Sequence, residues 1–264
     1  MIIKVIKRFR WKIDDYLKRT QVWFDAQRPV PPRHCRVIGG MATMPSRQQT
    51  LKRSLPSILR QVDRLYLYLD GYPEIPSFAA KEPKIVPITS DQYPGLRGAG
   101  KFIALAYEQE AGLFVGFDDD IYYPYNYIQA LLDGLERHGE DCIVGFHASS
   151  LHQGLKSYQA DRHVIYFGHA LSECRRVHVL GSGTVAFHLD KFRFDARTWA
   201  YQNMSDLQLA LEAQRQRLPM VCLKRKKDFL RSLDVTQTDS IYAALRKDDS
   251  VQTELAQQLL RGTW

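Results

Sequence analysis

Three consecutive carboxylates, Asp118, Asp119 and Asp120, stand directly after the apolar run 113–117. On an extended backbone alternate side chains share a side, so Asp118 and Asp120 are expected to converge as two hard oxygen ligands able to bridge one divalent ion to a diphosphate. Carboxylates this close repel one another at neutral pH. An apolar strand leading into them supplies no counter-charge, so a bound cation would relieve them. The competing expectation is an acidic turn that caps the next helix, because short motifs arise by chance. Tyr122, Tyr123, Pro124 and Tyr125 follow at once, a density that suits a pocket wall and equally ordinary core packing.

The elements that must hold this triplet are legible as alternation. Strand-like runs fall at 37–42, 65–69, 84–88, 113–117, 142–147, 177–180 with 184–188, and 220–223. Between them Leu51, Leu55, Ile58, Leu59 and Val62 share one helical face, as do Ile128, Leu131, Leu132 and Leu135. Strands alternating with amphipathic helices predict βαβ units, hence an α/β fold with a mixed, mostly parallel central sheet flanked by helices. The run 113–117 has no period of two, as expected of a central strand buried on both faces. Open sheets of this kind bind ligands outside the carboxyl ends of their strands, where the triplet falls. Residues 148–176 are polar and weakly periodic, and predict an excursion over the sheet.

The ends differ from this core. Ile2, Val5, Ile6, Phe9, Ile13, Tyr16 and Leu17 form a helical stripe interspersed with Lys4, Lys7, Arg8, Lys12, Lys18 and Arg19. This predicts a basic amphipathic helix over 1–24, packed on the main domain or laid against an anionic membrane surface. Pro29, Pro31 and Pro32 break it and lead into the main domain. The expected organisation is therefore 1–35 as helix and linker, 36–235 as the main domain, and 236–264 as a helical tail. No run approaches the roughly 20 apolar residues that cross a bilayer, which predicts a cytoplasmic chain, peripheral to the membrane at most. The four cysteines are scattered singly, without a zinc-binding spacing. A net charge of +8 attracts anions of any kind, and the basic residues follow no nucleic-acid reading motif, so nucleic acid is not an expected partner.

Thr43-Met44-Pro45-Ser46-Arg47 stands after the first strand, Leu67-Tyr68-Leu69-Asp70-Gly71 ends the second, Lys101-Phe102 opens a helix, and Asp118 to Asp120 follow. This order of motifs resembles family 2-type glycosyltransferases with the GT-A fold, especially bacterial enzymes of capsule and surface-polysaccharide synthesis. It spans about residues 36–230, with 36–125 as the nucleotide-binding half and 126–235 as the acceptor half. The resemblance implies a nucleotide-sugar donor, a UDP-sugar, and a glycan or lipid-linked acceptor. It also implies Mn²⁺ or Mg²⁺, held chiefly by Asp120 with Asp118 assisting through ribose, water or metal.

Position by position, Thr43 and Asp70 match the places that hold base and ribose, while each also reads as a turn residue. Arg47 is a candidate phosphate ligand beside Ser46, a good helix N-cap. Asp119 belongs to the nucleotide-sugar site with its neighbours. Arg97 and Lys101 lie in the stretch before the metal motif, where a basic residue faces the nucleotide; solvated surface charges are the alternative. The stretch is no P-loop, since Phe102 stands where Ser or Thr is required. Gly181-Ser182-Gly183-Thr184 interrupts a strand, either for close approach of a ligand or as a β-bulge. Asp206 matches the acidic residue that serves inverting members as general base, although an acidic residue in a first helical turn is stabilised there in any case. Arg225, in the cluster Lys224-Arg225-Lys226-Lys227, is a candidate for holding the departing diphosphate. No histidine follows His188, so the late histidine that some relatives add to the metal shell is missing; His147, His178 and His188 lie in strand-like runs and read as core residues.

Two other functions fit parts of the same sequence. Gly39 to Thr43 with Arg47 is similar to the glycine-rich start of sugar-nucleotide nucleotidyltransferases. The charge and the N-terminal stripe alone fit a non-catalytic module that binds membranes or polyanions.

Overall fold

The computed structural model describes residues 24–233 and 248–262. The predicted N-terminal helix and the first part of the predicted tail lie outside the described residues. The strands are β1 (Val37–Thr43), β2 (Arg64–Leu69), β3 (Ile85–Thr89), β4 (Leu113–Phe117), β5 (Ile121–Tyr122), β6 (Ile143–Gly145), β7 (Ala148–Ser150), β8 (His163–Ile165), β9 (Arg175–Val177), β10 (Val179–Leu180), β11 (Ala186–His188), β12 (Met220–Cys222) and β13 (Arg231–Ser232). The helices are α1 (Gln48–Leu59), α2 (Ser77–Lys81), α3 (Ala104–Tyr107), α4 (Tyr127–Arg137), α5 (Tyr158–Asp161), α6 (Ser205–Arg215) and α7 (Ser250–Arg261).

Eight strands form the central sheet in the order β3-β2-β1-β4-β11-β6-β12-β9. The pairs β1–β2, β2–β3, β1–β4 and β6–β12 are parallel, while β4–β11, β6–β11 and β9–β12 are antiparallel. The protein is thus α/β, with a mixed, mostly parallel sheet flanked by helices. From β1 the chain steps outward to β2 and β3, then returns to place β4 on the other side of β1. This reversal leaves a crevice between the carboxyl ends of β1 and β4, a topological switch point.

Alternation along the strands feeds two cores. Val37, Met41, Leu65, Leu67 and Leu69 pack with Leu51, Leu55 and Ile58 of α1 and Ile128, Leu131 and Leu135 of α4. Ile38, Tyr66, Tyr68 and Ile88 face the other way, into a core shared with Phe102, Leu207, Ala210 and Leu259. With both faces covered, the strands around β1 and β4 are apolar throughout, and the sheet is rigid where the crevice opens.

Most of 148–176 forms an excursion, although Arg175 and Arg176 already belong to β9 at the edge of the central sheet. β7 and β8 join β10 in a small antiparallel sheet, and α5 follows β7. The helix α7 clamps this excursion. Asp249 accepts from the Ser157 hydroxyl at 2.6 Å and the Gln159 N–H at 2.8 Å, and the Thr253 hydroxyl accepts from the Tyr158 N–H at 2.9 Å. Among the described residues no helix is long and apolar enough to cross a membrane.

Candidate active site

A cleft of about 420 Å³ opens at the switch point. Thr43 at the end of β1, Asp70 just past β2 and Asp118 to Asp120 just past β4 line it, together with Arg47, Arg97, Lys101 and Asp206. The structure therefore brings together every side chain proposed from the sequence as a catalytic, nucleotide-sugar or metal ligand except Arg225. Arg225 is buried elsewhere, where its guanidinium donates to the carbonyls of Tyr166, Phe167 and Leu223 at 2.7 to 3.1 Å. Those carbonyls absorb its donors, so it braces the chain around 166–167 and does not face the cleft.

The triplet is not on extended backbone. β4 ends at Phe117 and β5 begins at Ile121, so the three aspartates form the turn between them and all three carboxylates reach the cleft. Strict alternation fails because a turn rotates successive side chains by less than half a revolution. The tyrosines after it pack inward: Phe117, Tyr123, Tyr127 and Phe146 form an aromatic cluster with ring centroids 4.8 to 6.0 Å apart. The Tyr123 hydroxyl has a second task. It accepts the Asp118 N–H at 2.8 Å and donates to the Gly183 carbonyl at 2.6 Å, tying the acidic turn to the glycine loop.

Each aspartate meets a different environment. Asp119 is the most buried and accepts from the Thr43 hydroxyl at 2.6 Å. Burial pushes its carboxyl up to about 7, and the charges of Asp120 and Asp118 add to this against the Thr43 bond and Arg47. Burial and the neighbouring Asp118 charge raise Asp120 to about 6, countered in part by Arg47, whose guanidinium lies 3.7 Å away, and Lys101. Asp118 pairs with the Lys101 ammonium, which also donates to the Ser182 hydroxyl at 3.2 Å. Burial alone would lower Lys101; the Asp118 carboxylate outweighs it and, with Asp206 and Asp119, holds the ammonium above its ordinary value. Lys101 is thus a buried charge inside the cleft, 5% exposed, whereas 40% of the Asp118 side chain stays open to a further ligand.

Asp70 sits beside Arg97; burial raises its carboxyl and Arg97 opposes the rise. Arg97 itself has φ 46°, a left-handed backbone that costs a non-glycine residue on the order of 1 kcal/mol. Ser46 does not cap a helix. A 3-10 turn already begins at Pro45, which leaves Ser46 inside it, and α1 starts after Arg47 without a side-chain cap. Asp206, in the first turn of α6, accepts the Ser182 N–H through Oδ1 at 2.8 Å. The neighbouring Ser205 hydroxyl pairs with that of Ser182 at 3.0 Å.

The glycine loop 181–184 packs against the acidic turn and also lines a hollow beside the cleft. A Cβ on Gly183 would overlap the Asp118 carboxylate, and one on Gly181 would crowd the His147 ring. The loop is therefore the surface against which the acidic turn closes. His147 lies beyond the end of β6 and lines the cleft, not the core. Its Nδ1 is buried without a partner, and burial lowers its proton affinity although Asp206 and Asp118 oppose this. His178, by contrast, accepts the Leu151 N–H at 3.1 Å, a structural role.

A second, smaller hollow of about 310 Å³ adjoins the cleft and shares Asp118, Asp120, His147, Ser182 and Asp206 with it. Of the other wall of the cleft, the sequence pointed to Asp206 alone. The rest of that wall includes Tyr158, Gln159, Arg162, Asn203 and Gln252. For Tyr158, Gln159 and Arg162 the sequence signal is the polar character of 148–176, which does not say which residues turn inward.

No protein-family model matches the chain and no curated protein matches it. Among solved structures, TarS of S. aureus aligns with 85% of this chain at 11% identity and a TM-score of 0.49. The alignment covers 41% of TarS, so the chain spans less than half of that protein's length.

Proposed function

We propose that the chain is a GT-A glycosyltransferase that moves a sugar from a nucleoside diphosphate, a UDP-sugar, to an acceptor hydroxyl with inversion, in the synthesis of a surface polysaccharide or other glycoconjugate. The observation that carries this reading is the convergence of Thr43, Asp70, Lys101, Asp118 to Asp120 and Asp206 on one crevice at the switch point of the sheet. Thr43, Asp70 and Arg97 face the nucleoside, while Arg47 and Lys101 face its phosphates. A polar cleft that alternates carboxylates with cations suits a ligand that combines hydroxyls with a diphosphate.

A cation of the Mg²⁺ or Mn²⁺ type needs only one or two protein carboxylates when substrate phosphates and waters complete its shell. Asp118 and Asp120 offer this donor set, and the burial and neighbouring Asp118 charge that together raise Asp120 support the fit. Among the described residues there is no group of three or more His, Cys, Asp or Glu side chains arranged to hold a metal, and in this proposal the phosphates of the nucleotide supply further ligands. When bound, such a cation neutralises charge that builds on the departing diphosphate. Lys101, already buried beside Asp118, adds a fixed positive charge for the same purpose. Asp206 keeps Oδ2 free of its bond to Ser182, and this oxygen takes the proton of the attacking hydroxyl. The reaction is placed on the cytosolic side, with residues 1–24 as a peripheral contact to the membrane.

Thermal melting with a panel of nucleotide sugars, with and without Mn²⁺, tests the reading, since a ligand of the native state raises Tm by mass action. A UDP-sugar is expected to raise Tm by several degrees with Mn²⁺ and little without it, and turnover releases UDP. Release of pyrophosphate would identify a nucleotidyltransferase. No stabilisation by any nucleotide sugar would sink the proposal.

A further inference from the structure

The cations of the cleft are not used alike. Lys101 pairs with Asp118 and Arg47 lies near Asp120. Arg162, on the opposite wall just after α5, makes no ion pair among the described residues. Its guanidinium lies 4.3 Å over the Tyr158 ring, and Nη2 donates to the Gln159 Oε1 at 3.0 Å. Gln159 is held in turn by the buried Gln252 at 3.0 Å. The Arg162 Nε is buried with no partner. A desolvated guanidinium donor left unmatched costs free energy unless a ligand supplies the acceptor. Stacking and the Gln159 bond fix the guanidinium plane, so little side-chain entropy remains to be lost when an anion docks.

Its position tells which substrate this anion belongs to. The helix α7 holds α5 through Asp249 and Gln252 and holds α6 through the Gln214–Leu259 bond at 2.9 Å, so Arg162, just after α5, and Asp206, on α6, stand on elements packed on one helix and line the same cleft. The Asn203 Oδ1, also on this wall, is buried without a partner and suits a hydroxyl donor. A planar cation, two amides and an unpaired carbonyl oxygen together match a sugar that bears both hydroxyls and an anionic group.

We propose that Arg162 recognises a carboxylate or phosphate carried by the acceptor, close to the hydroxyl that is glycosylated. This rests on the glycosyltransferase reading for the word acceptor, although the anion site itself does not require it. Arg162 is a specificity residue: it orients the acceptor toward Asp206 and rejects neutral sugars by leaving its own charge unanswered.

The test is binding measured by saturation-transfer NMR, with and without saturating UDP and Mn²⁺. The probes are methyl glucuronide, glucose 6-phosphate and methyl glucoside, against the parent chain, Arg162→Met and Arg162→Lys. The parent is expected to bind at least one anionic probe about tenfold more tightly than the glucoside, the scale of a hydrogen bond to a charged group. Arg162→Met removes that preference and Arg162→Lys restores part of it, while UDP binding reports that each variant is folded. Equal binding of all three probes by the parent, or no binding of any, overturns the proposal. A loss of UDP affinity in Arg162→Met in place of the probe preference assigns Arg162 to the diphosphate and also overturns it. So does UDP-glucuronate outbinding UDP-glucose in an Arg162-dependent way, since the anion would then sit on the donor. If the parent binds no nucleotide but keeps the Arg162-dependent anion preference, the glycosyltransferase reading fails and the anion site stands.

Discussion

The two walls of the cleft are built by different means. The wall with Thr43, Asp70 and Asp118 to Asp120 hangs on the ends of three neighbouring parallel strands, β2, β1 and β4, in register with one another. The wall with His147, Arg162, Asp206 and Gln252 is gathered from a strand end, a short helix and two longer helices, scattered over more than a hundred residues of chain. The first is fixed by backbone hydrogen bonds of the sheet. The second is fixed by side-chain bonds such as those from Asp249 and Gln252 to α5. A sheet edge holds its residues with little freedom, while side-chain clasps can be re-formed with different residues, so the second wall is the one suited to adapt to different ligands.

Breaking the first wall is expected to have the largest effect. Asp120→Ala removes a proposed cation ligand and is expected to lower turnover by about a thousandfold or more, scale typical of lost charge stabilisation in a transition state. The measurement is UDP release under saturating donor, with circular dichroism to show that the fold persists. Undiminished turnover would remove the first wall from the chemistry. Asp206→Asn, on the second wall, keeps an oxygen for the Ser182 N–H and loses the charge. It is expected to reduce kcat by about a hundred- to ten-thousandfold while UDP affinity stays within a few fold. Should UDP affinity fall with kcat, the two walls do not divide donor from acceptor as described.

The smallest effect is expected at the clasp itself. The N–H of Gln159 and the hydroxyl of Ser157 hold the Asp249 carboxyl below its ordinary value. A carboxyl lowered in the folded state contributes stability above its unfolded value, near 3.8, and loses it as pH falls through the folded one. Asp249→Ala is expected to cost on the order of 1 kcal/mol at pH 7, allowing for solvent screening at this largely open site. The gap in Tm between parent and variant closes as pH drops below about 4. A gap that is the same at pH 3 and pH 7 would show that the carboxylate charge is not what holds α7.

The first wall was legible because strand periodicity and the position of polar residues at strand ends are local properties. The apolar run 113–117 predicts β4 and its aspartates predict the crevice, while Thr43 and Asp70, at the ends of β1 and β2, are marked as site residues by the family resemblance and not by periodicity. The turn at 118–120 was read as extended because nothing in three identical residues marks where a strand stops. Ser46 was read as a cap because the 3-10 turn at Pro45 takes precedence only when β1 delivers the chain at that angle. His147 was read as core because the apolar run before it does not reveal that β6 ends at Gly145. Arg225 carries the same charge as Arg47 and Arg162, and only the carbonyls around 166–167 decide that it is buried as a brace.

By itself, then, the order of residues determined an α/β sheet and the acidic end of its central strand, since burial on two faces and short-range periodicity are imposed residue by residue along the chain. Tertiary structure alone decided which strand lies beside which, that Lys101 is buried against Asp118, and that Arg162 and Asp206 line one cleft. These are contacts between segments far apart in sequence. Their free energy comes from closing long loops around a shared core, and no local pattern encodes which distant charge will be left without a partner.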